Sequence, residues 1–554
     1  MAGDGNSEVT NRYEGRLELT WTNKDKRLLS YEDGSYVWVP PSDHRVAEVR
    51  LLDDAGIVGA VAPDDRRAAD NLLIRGDALN ALTSLAELPE FASEYVGKVK
   101  LAYLDPPFNT QQSFLHYDDA LEHSVWLTMM RDRLVQVKKL LAPEGSVWVH
   151  LDDAEMAYCR AMMDELFGRE NFVGSVVWKR RNDPRNTAAF LSMDHDTILV
   201  YAVDIGKVTT NHLPRSEAMD AAYSNPDSDP RGPWRRSDLA ARNYYSKGLY
   251  PVTTPSGKVI SGPPSGSYWR IAPEELQRLG EDDRIYWGAG GSSRPYLKRF
   301  LSEVNAGRVP SSVWHPEEVG FVRNGKEEVR ALSGDVFATP KPERLIERVI
   351  HIATNPDDIV LDCFLGSGTA AAVAHKMGRR WIGVERSPET VDIFASPRLT
   401  KVVNGDDPGG ITEAAGWTGG GGFRVLDVAP SMFDATEGSV VIADWASNGK
   451  LSEVTAAQLG FDFEPDAPFT GRRGRSRLAV IDGLVNPDVA QVLVDALPED
   501  QLLTLCGTAV DESTGPVLRK LRRGSTVRKI PASILADYRR QPEPSVANAS
   551  TPAG

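Results

Sequence analysis

Apolar runs alternate with amphipathic stretches along much of the chain, and this rhythm predicts its elements. Asn71-Leu72-Leu73-Ile74 is a short apolar strand closed by Gly76-Asp77, and Ala78 to Leu88 carries apolar residues at helical spacing. Val99 to Leu104 predicts a second buried strand. Trp126, Leu127, Met130, Leu134, Val137 and Leu141 form the stripe of an amphipathic helix, which Pro143-Glu144-Gly145 ends. Ser146 to Leu151 predicts a strand, Asp153 to Phe167 a helix, and Phe172 to Trp178 and Thr197 to Tyr201 further strands. Such alternation predicts an α/β fold whose mostly parallel sheet is covered on both faces.

From about Ile205 to Arg330 the pattern breaks into Pro, Gly, Ser and aromatic residues, and regular alternation then returns. Pro342 to Ala353 and Thr369 to Met377 predict helices, and Ile359 to Leu361 and Arg380 to Val384 predict strands. The sheet is therefore written in two instalments, residues 71–204 and 331–422, around an irregular insert, 205–330. Residues 1–70 read as an N-terminal extension with a short hairpin or two near Trp21, Tyr36 and Trp38. After the Gly419 to Gly422 run, 423–538 read as a smaller C-terminal α/β domain, and the Pro-, Ser- and Ala-rich 539–554 as a disordered tail.

Composition adds bounds rather than detail. The 554 residues are 41% hydrophobic and 25% charged, ordinary for a soluble protein of two or three domains. No membrane-length apolar run or signal peptide is apparent, so no membrane association and a cytoplasmic location are expected. Cys159, Cys363 and Cys506 lie far apart, in no zinc-ligand spacing, and read as buried reduced thiols; no metal site is expected. A net charge of −15 would repel nucleic acid if spread evenly. Residues 205–330, however, hold 18 lysines and arginines against 15 acids, and there Arg231, Trp234, Arg235, Arg236, Arg242, Tyr244, Tyr245 and Lys247 interleave cations with rings. That mixture suits phosphate contacts and base stacking; a solvated irregular subdomain is the alternative.

Two motifs carry chemistry. Asp105-Pro106-Pro107-Phe108 follows the Val99 to Leu104 strand. An exocyclic amine of a nucleobase is a poor nucleophile, because its lone pair is conjugated into the ring. Asp105 could accept one of its N–H groups and the Pro106 carbonyl the other, while Phe108 stacks on a base rotated out of the duplex. Prolines fix φ and lack N–H groups, so the turn is stiff and rich in acceptors, although a plain turn after a strand would also account for it. The second motif, Asp362-Cys363-Phe364-Leu365-Gly366-Ser367-Gly368, follows the Ile359 strand and opens a helix, as in Rossmann-type nucleotide sites. Its spacing is not GxGxxG, which disfavours a dinucleotide, and Glu385 at the end of the next strand could accept from ribose hydroxyls. C5-cytosine methylation needs a cysteine nucleophile, and no cysteine lies in a Pro-Cys turn.

With these residues in hand, the chain resembles the beta-class amino-methyltransferases of DNA, and among them the modification subunits of Type III restriction systems. The resemblance rests on Asp105 to Thr110, on the Asp362 to Gly368 turn 257 residues later, and on segments such as Gly76-Asp77-Ala78-Leu79, Lys341-Pro342-Glu343 and Gly416-Trp417-Thr418-Gly419. It implies a circularly permuted Rossmann-like methyltransferase with an inserted target recognition domain and S-adenosylmethionine as cofactor. Asp105, Pro106, Pro107 and Phe108 would be catalytic, with Phe108 standing where the family more often has tyrosine. Asp362, Phe364, Gly366 and Gly368 would line the cofactor, Glu385 hold its ribose, Asp77 approach its adenine, and Lys341-Pro342 open the helix at its methionine end. Arg231, Arg235, Arg236, Arg242 and Lys247 would contact duplex DNA. The family's cytosine-N4 enzymes usually carry serine at the position of Asp105, which favours adenine N6. The implied partners are a second copy of the chain and a helicase-nuclease restriction subunit. The competing readings are N4-cytosine methylation, an orphan enzyme without restriction partner, a nucleotide-dependent oxidoreductase, and an inactive DNA-binding module.

Overall fold

The computed structural model describes residues 18–30, 36–109, 113–114, 117–118, 122–182, 190–215, 217–304, 307–335, 337–436, 439–447 and 449–540. Two compact units are present: Asn211–Pro310 is one, and Met1–Thr210 with Ser311–Gly554 is the other.

The larger unit is built on a ten-stranded sheet. In chain order its strands are β1 (Leu52–Gly59), β2 (Asn71–Arg75), β3 (Val99–Leu104), β4 (Leu141–Leu151), β5 (Phe172–Lys179), β6 (His195–Ala202), β7 (Val313–Trp314), β8 (Ile359–Asp362), β9 (Arg380–Glu385) and β10 (Gly422–Val428). Across the sheet they run β7-β5-β6-β4-β3-β8-β9-β2-β10-β1. The stretch from β4 to β10 is parallel throughout, while β6 and β1 pair antiparallel with their neighbours. Leu72, Leu73 and Ile74, and likewise Leu101, Ala102, Tyr103 and Leu104, are buried one after another. Consecutive burial means that both faces are covered, and each such large apolar side chain contributes about 2 kcal/mol.

The permuted order has a direct structural expression. β8, from the second instalment, inserts beside β3 from the first, with Leu361 opposite Ala102. The two motif strands are thus neighbours, and Asp105 and Asp362 emerge at the same carboxyl edge.

Three expected boundaries move. The C-terminal region was expected to begin as a separate domain after Gly422, but Gly422–Val428 is β10, paired with β2 and with β1 from the N-terminal extension. Phe433, Leu451, Phe461, Cys506 and Tyr538 share one apolar cluster with the main sheet. Beyond them a five-stranded sheet, Asp462–Asp466 through Thr526–Lys529, has a further core around Leu493, Leu503 and Leu518. The insert was expected to reach Arg330; the chain rejoins the main sheet earlier, at β7, where Trp314 is buried. A two-residue strand is too short to show any alternation. Finally, helix Ala532–Arg540 runs through the start of the expected disordered tail, the rest of which lies outside the described residues.

The inserted unit has a three-stranded antiparallel sheet, Ile285–Tyr286, Tyr296–Phe300 and Trp234–Asp238, and a small core of Leu239, Val252, Trp269, Leu276 and Ile285. All three cysteines are free and buried. No helix among the described residues is long and apolar enough to cross a membrane.

Candidate active site

Asp105 to Phe108 leave the end of β3 as an extended turn held from several sides. The Trp126 indole N–H, near the start of α2 (His123–Leu140), donates to the Pro107 carbonyl at 2.7 Å. Asn109, at φ +61°, donates at 2.6 Å to the buried carboxylate of Glu155, the residue before α3 (Met156–Phe167). α2 is itself strapped by the N-terminal extension: the Trp21 indole donates to Thr128 at 2.8 Å, Arg131 donates to the Lys24 carbonyl, and Arg27 pairs with Asp132.

The Asp105 carboxylate is asymmetric. Its Oδ2 meets the Lys341 ammonium at 2.5 Å, whereas Oδ1 is buried and has no hydrogen-bond partner among the described residues. The same ammonium lies 4.9 Å from the centroid of the Phe108 ring. Phe108 stacks on the His150 imidazole, with centroids 5.9 Å apart and planes 19° apart. His150 is wholly buried at the end of β4, 2.9 Å from the Tyr103 hydroxyl through Nδ1 and 3.3 Å from Asp196 through Nε2. Asp196 in turn pairs with Arg180 at 2.7 Å. Burial, with the Lys341 cation nearby, pushes the imidazole below its ordinary value. A neutral ring with Nε2–H toward Asp196 accepts from Tyr103, so both ring nitrogens beneath Phe108 have partners.

The second motif sits next door. Gly366 and Gly368 have φ of +52° and +80°, conformations that favour glycine, and Gly368 caps the helix Thr369–Lys376. A Cβ on Gly366 would come within 3.2 Å of Phe337. Glu385, at the end of β9, accepts from the Gly366 N–H and the Ser387 N–H, each at 2.9 Å. Burial pushes its carboxyl upward. Asp362 is buried, accepts from Phe364 N–H at 2.9 Å, and is pushed up to about 8 by burial together with the charges of Asp105 and Glu385. Asp77 caps α1 (Ala78–Glu87) through Leu79 N–H and pairs with Arg133 at 2.8 Å. The Arg133 guanidinium also lies 5.9 Å over the Phe364 ring, so α2 touches both motif regions. Pro342 is the cap of α5, the helix Glu343–Ala353 that follows α4 (Val322–Ser333).

The DNA methylase family model, N6_N4_Mtase, matches residues 99–396, from β3 past Glu385. This chain belongs to that family. It is 29% identical over 451 residues to the Haemophilus influenzae protein described as a probable type III restriction-modification enzyme HindVI Mod subunit, covering 68% of this chain and 56% of that one. To the type III restriction-modification enzyme StyLTI Mod subunit of Salmonella typhimurium it is 31% identical over 340 residues, covering 55% and 50%. The type II methyltransferase M1.MboII of Moraxella bovis is 44% identical over 295 residues, covering 53% of this chain and 86% of that protein. The chain thus spans about half the length of the two Mod relatives.

In this DNA methylase family chain the basic residues of the insert divide into two groups. Arg231 is committed within its own unit: it pairs with Asp229 at 2.9 Å, donates to the Asp282 carbonyl at 2.8 Å, and lies 4.5 Å over the Phe300 ring. Arg235, Arg236, Arg242 and Lys247 are exposed and make no ion pair among the described residues. Arg235 and Arg236 are consecutive on the strand Trp234–Asp238 and so point to opposite faces.

Asp105 and Phe108 follow β3, and Asp362 and Glu385 end β8 and β9, so all four expected residues lie at the carboxyl edge of neighbouring strands. The sequence reading passed over His150, Asp196, Trp126 and Arg133, which looked like ordinary strand and helix residues. Only His150, a lone imidazole in an apolar strand, carried any signal.

Proposed function

We propose that this chain transfers a methyl group from S-adenosylmethionine to N6 of an adenine turned out of duplex DNA. The observation that carries the reading is the buried, unpartnered Oδ1 of Asp105 beside the Phe108 ring. Leaving a buried acceptor unsatisfied costs about 1–3 kcal/mol, so such an oxygen at the mouth of a motif turn is suited to a donor from a ligand. Oδ1 accepts one N–H of the amine and the Pro106 carbonyl the other, which localises the lone pair on nitrogen. S-adenosylmethionine held at the glycine turn would supply the methyl group that this nitrogen takes up, and would leave as the neutral thioether. Asp105 accepts the surplus proton and passes it to solvent. Phe108, backed by His150, offers the stacking surface.

The glycine turn and its acids fit the cofactor. Glu385 keeps lone pairs beyond its backbone bonds for ribose hydroxyls, and Asp362 opens the second motif at the end of β8, the strand beside β3. S-adenosylmethionine would supply an activated methyl on a cationic sulfonium, which the carboxylates of Asp105 and Glu385 favour electrostatically. Asp77, Phe364 and Pro342 complete the surround. DNA is held through Arg235, Arg236, Arg242 and Lys247, with Arg231 bracing the insert. The relatives' names support a role as a modification subunit of a Type III system; a second copy of the chain, a restriction subunit and a cytoplasmic location belong to this proposal.

Asp105→Ala tests the assignment. Methyl transfer falls about 100-fold or more, while S-adenosylmethionine binding measured by calorimetry is retained. Loss of cofactor binding, or full activity, would remove Asp105 from the base site.

A further inference from the structure

We infer that Lys341 is a positioning residue of the base site, pinning Oδ2 of Asp105 so that Oδ1 is the oxygen presented to the amine. The inference rests on the base-site reading above and departs from the family resemblance, which assigns Lys341-Pro342 to the methionine end of the cofactor.

The geometry is specific. The Lys341 side chain is 8% exposed and its ammonium stands 2.5 Å from Oδ2. A carboxylate on a short side chain can turn about its last torsion and exchange its two oxygens. One charge-assisted hydrogen bond to a single oxygen removes that freedom. The Phe108 ring lies within cation–π range of the same ammonium, so one cation holds both the acceptor and the stacking ring. Asp105 also adds its charge to a region containing Asp362 and Glu385, and Lys341 is the cation that offsets it.

The backbone that carries Lys341 is seated with equal care. Gly325 on α4 lies so close to the Pro340 carbonyl that a Cβ there would come within 2.5 Å of it and 2.8 Å of the Lys341 carbonyl carbon. The Glu343 N–H donates to Glu328 of α4 at 3.0 Å. The segment Pro340 to Glu343 is therefore clamped against α4, and its lysine spans 236 residues of sequence to reach Asp105. The segment leading into α5 consequently couples the two instalments of the core at the reacting carboxylate.

The test uses the full-length protein with S-adenosylmethionine and long unmethylated duplex DNA. Lys341→Met lowers kcat about 100-fold, the scale expected of a misplaced reacting group, and leaves the Kd for S-adenosylmethionine within roughly twofold of wild type. Lys341→Arg restores part of kcat, because a cation again meets Oδ2. Should Lys341→Met fail to fold, Lys341→Arg carries the test through a lowered kcat at unchanged cofactor Kd. A raised cofactor Kd with kcat unchanged at saturation would assign Lys341 to the cofactor and overturn the inference, as would wild-type kinetics. An active Asp105→Ala variant would instead sink the underlying base-site reading, so the two failures are distinguishable.

Discussion

Asp362 has a carboxyl pushed up to about 8 by burial and by the charges of Asp105 and Glu385. Its ordinary value is near 3.8, so between those two values the folded protein holds a proton that the unfolded chain has released. Stability of the free protein therefore falls as pH rises through that window, and the loss is complete above about 8. Asp362→Asn removes the titrating group: its melting temperature, relative to wild type, should be higher at pH 9 than at pH 5. Equal differences at the two pH values would show that Asp362 stays ionised in the free protein. At this scale the sequence was legible where chemistry forces residue type, as at Asp105-Pro106-Pro107-Phe108 and Glu385. It was silent on pairing across the chain, since no local pattern signals that Lys341 reaches Asp105 or that His150 backs Phe108.

β4 begins at Leu141 rather than Ser146 and runs through Pro143-Glu144-Gly145, which was expected to end the preceding helix. Most core elements were nonetheless read nearly to their ends, because consecutive buried apolar residues leave no alternative. β1 was missed for the opposite physical reason. Leu52 to Gly59 lies at the sheet edge with Asp53, Asp54 and mostly exposed neighbours, so it shows neither an apolar run nor clean alternation. It nonetheless covers β10, pairing from Gly422↔Gly59 to Val428↔Leu52. Deleting residues 1–60 would bare the backbone of β10 and remove the Trp21 strap on α2, leaving an open edge prone to pairing between molecules. The expected result is a lower melting temperature and higher-order species in size-exclusion chromatography. An unchanged elution volume and melting temperature would mean that the edge strand contributes nothing.

Over the whole molecule, the net charge of −15 coexists with an insert, Asn211–Pro310, holding 14 lysines and arginines against 11 acids. Several of those cations are spent on internal pairs such as Arg284 with Glu303 and Lys298 with Asp229. What remains for a polyanion is the exposed set around Arg235, Arg242 and Lys247, which composition alone could not separate from Arg231. β3 and β8 lie side by side, so both motif turns share the carboxyl edge of a parallel sheet, in keeping with the permuted order that the resemblance implies. Methylation of adenine N6 is tested most directly by incubating the purified protein with tritiated S-adenosylmethionine and unmethylated duplex DNA, then separating the nucleosides. Label in N6-methyladenine is the result expected; label in N4-methylcytosine alone, or none in DNA, would contradict it.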